Sequence, residues 1–183
     1  YERIVDSKGI NFVYSQFLSS GVTTIALMLE ENGFIPANIT GKERELLYSK
    51  TKKPPICYMC GKEKHNPTDH TWSPAKYVLL TGSQHLNPDV DIPKISGYIN
   101  REENMYGKLV KVLLGSEVSG EGIDFKRIRQ VHIVEPWYNQ SRIDQIKGRA
   151  IRNGSHRDLP PEQRNVEVLK YCTVPPSRKK KEE

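Results

Sequence analysis

Short apolar runs that alternate with polar, helix-periodic segments set the strongest constraint on what this chain folds into. Gly9 to Phe17 holds Ile10, Phe12, Val13, Tyr14 and Phe17 in a nearly continuous run. Such a run suits a strand covered on both faces, as in a parallel sheet. Ser19 and Ser20 then offer an N-cap, Val22, Ile25, Ala26 and Leu29 recur at helical spacing, and Gly33 reads as a helix stop. The alternation continues down the chain. Strands are expected at Tyr77–Leu80, Leu109–Leu114, Val131–Val134 and Val166–Tyr171, with helices between Pro93 and Lys108 and over Asn139–Arg152. Lys42 to Pro55 reads as a helix fragment and a linker, and Pro175 to Glu183 as a basic disordered tail. Strand–helix alternation of this kind predicts an α/β fold with a parallel sheet.

With 183 residues, 36% of them hydrophobic and 27% charged, the composition is that of one globular domain with room for a small insert. No run is long and apolar enough to span a membrane, and no charged-then-apolar leader marks secretion. The opening Tyr1-Glu2-Arg3 carries no methionine, which points to a piece of a longer polypeptide. The net charge of +6 fits a polyanionic partner, and equally fits solvated faces and the Lys179-Lys180-Lys181 run. Three cysteines make no disulfide framework, so a reducing, intracellular setting with a metal site is expected.

Cys57, Cys60, His65 and His70 place four sulfur and nitrogen donors within fourteen residues. Four such donors suit tetrahedral zinc and leave no open position, so the expected Zn2+ is structural. The spacing resembles a zinc knuckle, with His70 where such knuckles have cysteine. The other reading is a surface loop with two reduced cysteines. Tyr58 and Trp72 could stack on unpaired bases or form a small apolar core beside the metal. Cys172 is expected to be buried in the last strand, and His85 and His132 to be ordinary residues.

Gln145-Ile146-Lys147-Gly148-Arg149-Ala150-Ile151-Arg152 carries the most chemistry. On a continuous helix Gln145, Arg149 and Arg152 share one face, while Ile143, Ile146 and Ala150 form another that can pack on a sheet. Gly148 would let another backbone approach. Two arginine forks one turn apart suit phosphate, and are equally a pair of solvated surface arginines.

This stretch resembles the sixth motif of superfamily 2 helicases, Gln-x-x-Gly-Arg-x-x-Arg. Glu135-Pro136-Trp137-Tyr138-Asn139-Gln140 resembles the segment that precedes it in Swi/Snf-type ATPases. The resemblance implies a RecA-like parallel sheet with helices on both faces, extending over residues 1–174, with the zinc-knuckle-like insert at 54–74 and the tail at 175–183. It also implies that Arg152 is an arginine finger, Arg149 its partner on the γ-phosphate, and Gln145 part of the ATP interface. Ile151 replaces the glycine of many members, and Asn153-Gly154-Ser155-His156 replaces a common Gly-Gln ending. The continuation to Pro160 looks like the helicase-like ATPases of large cytoplasmic DNA viruses, including their transcription-associated triphosphatases.

Further motifs agree in order. Ser116 to Asp124 resembles the fifth motif, which implies nucleic-acid contacts by Ser116 and Ser119, and ATP contacts near the ribose by Gly122 and Asp124. Val13-Tyr14-Ser15-Gln16-Phe17 resembles the fourth, which implies that Ser15 and Gln16 meet nucleic acid; both could instead cap a helix. Thr81-Gly82-Ser83 fits the small polar step after the second strand. The chain holds no Gly-x-x-x-x-Gly-Lys-Ser/Thr loop and no paired Asp-Glu strand end. ATP with Mg2+ is therefore expected to sit mainly on a first, N-terminal RecA-like lobe, and this piece alone is expected to be inactive. The implied partners are nucleic acid, with DNA favoured over RNA, that first lobe and transcription machinery, in the host cytoplasm or virion for a viral protein. The alternatives are a non-catalytic nucleic-acid-binding scaffold lobe, and a carrier for the zinc site alone.

Overall fold

A computed structural model describes residues 1–41, 43–47, 52–83, 86, 91–116, 124–136 and 138–173. Its strands are β1 (Ile10–Tyr14), β2 (Ile35–Pro36), β3 (Lys76–Leu80), β4 (Val112–Gly115), β5 (Ile128–Ile133) and β6 (Glu167–Lys170). Its α-helices are α1 (Glu2–Asp6), α2 (Thr24–Glu31), α3 (Ile92–Ile99) and α4 (Gln140–Ala150). The strands form one sheet in the order β2-β3-β4-β1-β5-β6, and every pairing is parallel. The parallel α/β architecture expected from the alternating runs is what forms.

Both faces of this sheet are covered, as a parallel sheet requires. Ile10, Phe12 and Tyr14 of β1 join Val78, Leu80 and Leu113 in a core with Ile95 and Ile99 of α3 and Ile143, Ile146 and Ala150 of α4. The alternate side chains, Val13, Tyr77, Leu79, Val112 and Leu114, pack on the other face with Ile4, Ala26 and Leu29. Ile56, Cys57 and Tyr58 of the insert belong to that second core. The crossover from β1 toward the β2 edge carries α2 on one face. The crossovers from β3 to β4 and from β5 to β6 run the other way and carry α3 and α4 on the opposite face, as right-handed connections demand.

Several elements differ from expectation for local reasons. Ser19 and Ser20 do not cap α2; they lie in a π-helical turn, Leu18–Thr23, that runs into it. Gly33 does end α2: its φ is +86°, and a Cβ there would meet the Pro54 carbonyl at 2.4 Å. The described residues of 42–55 form no helix. Two of their amides go to a side chain instead: the buried Glu30 carboxylate accepts from Leu46 N at 2.9 Å and Leu47 N at 2.5 Å. β2, only two residues long, had no sequence signal. The fourth strand starts at Val112 rather than Leu109, and β5 starts at Ile128, three residues before the expected run. Cys172 lies past β6 and is exposed, so it is not a core residue. The 175–183 tail and His85 fall outside the described residues. Among the described residues no helix is long and apolar enough to cross a membrane.

His132 is not an ordinary residue. It is 2% exposed in β5, stacks on Tyr171 at 5.8 Å and meets the Tyr171 hydroxyl at 2.7 Å. Burial holds its imidazole down at about 4. The unfolded chain, titrating near about 6.5, binds more protons between those values, so stability rises with pH across that window. The contribution, about 3 kcal/mol, should be complete above pH of about 6.5 and lost as pH falls toward about 4. Urea midpoints measured from pH 7 to pH 4 should fall more steeply for wild type than for His132→Phe.

Candidate functional site: two edges of the sheet and a cysteine-histidine centre

The expected site residues fall at two opposite edges of the sheet. At the C-terminal edge, β4, β1 and β5 end side by side, where the strand order reverses and α/β sheets place ligands. Ser15 directly follows β1 and Ser116 directly follows β4, with Ser15 N donating to Gly115 O at 3.1 Å. Ser15 is fully buried: its hydroxyl donates to Glu135 Oε2 at 2.8 Å and accepts from Phe17 N at 3.1 Å. Gln16, half-buried, presents its own amide to the same carboxylate at 3.3 Å. Glu135 thus ties the ends of β1 and β5 together, a role its sequence context did not suggest. Gly21 makes room for this contact, because a Cβ there would lie 1.8 Å from Ser15 Oγ. Ser116 is buried, and Ser119 and Gly122 lie outside the described residues.

Arg152 and Asp124 meet at the other edge. Asn139 caps α4 by accepting from Ser141 N at 2.9 Å, and the helix runs to Ala150. Gln145 is exposed on it and Arg149 half-exposed, as the spacing predicts. Arg152 is not on the helix. Ile151 leaves helical geometry at φ −116° and ψ 83°, so the expected single face for all three residues is corrected. The cause is local: the Ser155 hydroxyl reaches both the Arg152 amide, at 3.4 Å, and the Arg152 carbonyl, at 2.8 Å. The Arg152 side chain turns back to Gly148 O at 3.3 Å and toward Asp124 at 3.6 Å. Both side chains of that ion pair are about half exposed (47% and 54%).

Asp124 is held from below. Asn100, at the end of α3, donates to Asp124 O at 2.9 Å and accepts from Lys126 N at 2.9 Å. The adjoining Phe125 is fully buried against Phe12, ring centres 5.7 Å apart. Arg127, which no motif marked, is 4% exposed and donates to the carbonyls of Asn100 and Arg101 at 3.0 and 3.2 Å. Its other nitrogen pairs with Asp158 at 2.5 Å. Among the described residues, nothing beyond its own helix backbone and chain neighbours lies within 4 Å of where a Gly148 Cβ would sit, so that face beside the arginines is open.

The insert brings its donors together against the sheet. Cys57 N donates to Lys62 O at 2.7 Å and Gly61 N to Cys57 O at 3.0 Å, a tight turn that Gly61 permits at φ +68°. Cys57 Sγ lies 3.2 Å from His70 Nε2, and Cys60 Sγ lies 3.7 Å from His65 Nε2. Tetrahedral zinc bonds of about 2.3 Å to sulfur and about 2.0 Å to nitrogen place such donors about 3.6 Å apart, close to both of these pair distances. Cys57, Cys60 and His70 are mutually within 4.8 Å, and His65 is not part of that group. Both imidazoles are oriented from behind, His70 Nδ1 by Asp69 at 2.8 Å and His65 Nδ1 by Glu63 O at 2.7 Å. This leaves each Nε2 free to ligate. Burial raises the Cys57 thiol, but the amides of Cys60, Met59 and Ser73, with His70, bring it down to about 7. Tyr58 is buried in the sheet core and Trp72 packs against it, which favours the structural reading of both.

Residues 94–154, which include most of α3, all of β4, β5 and α4, and Arg152, match the family model described as the helicase conserved C-terminal domain. These residues form a helicase C-terminal domain. The lobe is similar to the termination factor NPH-I homolog of African swine fever virus, 33% identical over 178 residues, covering 94% of this chain and 25% of that protein. It is also similar to the putative ATP-dependent RNA helicase R563 of Acanthamoeba polyphaga mimivirus, 37% identical over 106 residues, 58% of this chain and 18% of the relative. The early transcription factor large subunit homolog of African swine fever virus is 28% identical over 161 residues, 86% of this chain and 13% of that protein. The chain thus spans about a quarter or less of the length of these curated relatives.

The two crowded and open glycines give a direct check of this geometry. Gly21→Ala should destabilise the lobe by about 1–3 kcal/mol, because the Ser15–Glu135 contact must open. Gly148→Ala should be neutral or stabilise by up to about 1 kcal/mol, because the helix gains propensity and nothing in the lobe is displaced. Thermal melting of the two variants beside wild type measures both.

Proposed function

We propose that this lobe is the second half of an ATP-driven nucleic-acid helicase or translocase that acts in viral transcription. The observation that carries the reading is the exposed Arg152, paired with Asp124 at 3.6 Å beside the end of α4 that bears Arg149. A buried structural arginine would be fully satisfied within the lobe, as Arg127 nearly is; Arg152 instead lies 47% exposed on an open face. In this reading ATP with Mg2+ is held by a first RecA-like lobe elsewhere in the polypeptide. Closure of the lobes brings Arg149 and Arg152 to the γ-phosphate, with Gln145 and Asp124 at the nucleotide margin. The two guanidinium groups then stabilise the charge that builds on a loose phosphoryl-transfer transition state. Gln16 and the backbone around Ser15 and Ser116 would meet a nucleic-acid strand at the opposite edge, and closure would shift that grip. The names of the relatives, a termination factor, an early transcription factor subunit and RNA helicases, support the transcriptional setting.

The test is nucleic-acid-stimulated ATP hydrolysis by the full-length protein. Arg152→Ala and Arg149→Ala should each lower kcat by about 1,000-fold or more while nucleotide binding is retained. Normal turnover in both variants would make the lobe a scaffold. Stimulation by DNA and RNA in parallel decides which strand is gripped.

Cys57, Cys60, His65 and His70 are proposed to hold one structural Zn2+. Four protein donors leave no open position, so the ion would supply folding energy and no chemistry. Cys57 and Tyr58 lie in the core beneath α1 and α2, so metal removal should loosen that face of the sheet first. Metal analysis of the full-length protein should show one equivalent of zinc lost in Cys57→Ser, together with a lower melting temperature. Equal zinc content in wild type and variant would rule the site out.

A further inference from the structure

We infer that Ser155 and His156 are positioning residues for Arg152, an assignment that rests on the reading of Arg152 as the arginine finger. Arg152 has left α4, so the helix does not orient its backbone. A chain of five polar contacts does so instead. The Ser155 hydroxyl takes the Arg152 amide at 3.4 Å and reaches its carbonyl at 2.8 Å, and Ser155 N donates to the same carbonyl at 3.1 Å. The hydroxyl in turn meets His156 Nδ1 at 2.7 Å, and His156 Nε2 meets Ile128 O at 2.6 Å. Ile128 O can only accept, so Nε2 carries a proton and donates to it. The hydroxyl proton then serves either the Arg152 carbonyl or Nδ1, and in both arrangements its oxygen stays within reach of the Arg152 amide. Ser155 and His156 are 6% and 7% exposed, so water does not compete for these bonds.

The same frame carries the partner of Arg152. Arg127 N donates to Ser155 O at 3.1 Å, and its guanidinium pairs with Asp158 of the same loop. The guanidinium also holds the backbone carbonyl of Asn100, the residue whose side chain fixes Asp124. Arg127 stands at φ +61°, a left-handed conformation that costs a non-glycine residue energy and persists only where neighbours enforce it. One strained, buried arginine therefore fixes the mounts of both Arg152 and Asp124 to the start of β5. A loop that merely ended a helix would need neither the histidine strut to Ile128 nor the shared frame.

A finger displaced by about 1 Å loses about 100-fold in rate, which sets the expected scale. In the full-length protein, Ser155→Ala and His156→Ala should each lower kcat for stimulated ATP hydrolysis by about 10- to 100-fold, with KM for ATP changed by less than about 3-fold. His156→Gln, which keeps an N–H donor toward Ile128 O, should recover most of the rate and serves if His156→Ala does not fold. The deciding measurement repeats Ser155→Ala and His156→Ala in the Arg152→Ala background. If both residues act through Arg152, neither should reduce the residual rate further. Multiplicative losses there, or unchanged kcat in the single variants, would overturn the positioning role alone. Normal turnover by Arg152→Ala itself would overturn the finger reading and this inference with it.

Discussion

A sheet made only of parallel strands has to be covered on both faces, and the rest of this lobe follows from that requirement. β1 sits in the middle with all five residues buried, and its side chains alternate between two cores. One cover comes from α3 and α4, and the other from α1, α2 and the cysteine-histidine insert. The insert is therefore no appendage. It fills part of a face that short helices alone leave open, with Ile56, Cys57 and Tyr58 buried against β3 and β4. Behind it the fully buried Lys111 ammonium, pushed down to about 8 by burial, is taken up by the Ser7 carbonyl at the end of α1. A cation there fastens the first helix to the sheet beside the cysteines.

The covers also decide where chemistry can occur. With both faces closed, only the strand ends stay available, and the two ends differ in character. The C-terminal edge is built from serines and backbone amides organised by Glu135. The N-terminal edge carries Arg152 and Asp124 on a stiff frame made by Asn100, Arg127 and the Ser155–His156 loop. Linking events at the two edges is then a matter of how the sheet moves as a body, since β1 and β5 pair along their lengths.

Much of this was legible in the sequence because it depends on local pattern. The run Ile10 to Tyr14 announced a doubly buried strand, Ile143, Ile146 and Ala150 announced the packed face of α4, and Gly33 announced the end of α2. What could not be read rests on partners distant in the chain or on single side chains. Ser15 is buried because Glu135, 120 residues away, claims its hydroxyl. Arg152 leaves the helix because a serine three residues on binds its backbone, which helical periodicity cannot register. Arg127 has no motif at all; its role emerges only where α3, β5 and the loop after α4 converge. The described residues of 42–55 form no helix, and the distant Glu30 carboxylate takes the amides of Leu46 and Leu47.

In the proposed role this lobe completes a nucleotide site by offering arginine charge to the transition state and not to the ground state. The direct measurement is the affinity of the full-length protein for ADP with aluminium fluoride and Mg2+, beside its affinity for ADP alone, in wild type and in the Arg149→Ala, Arg152→Ala double variant. The double variant should bind ADP as wild type does and lose the extra affinity for the fluoride complex. Retention of that extra affinity without either arginine would contradict it.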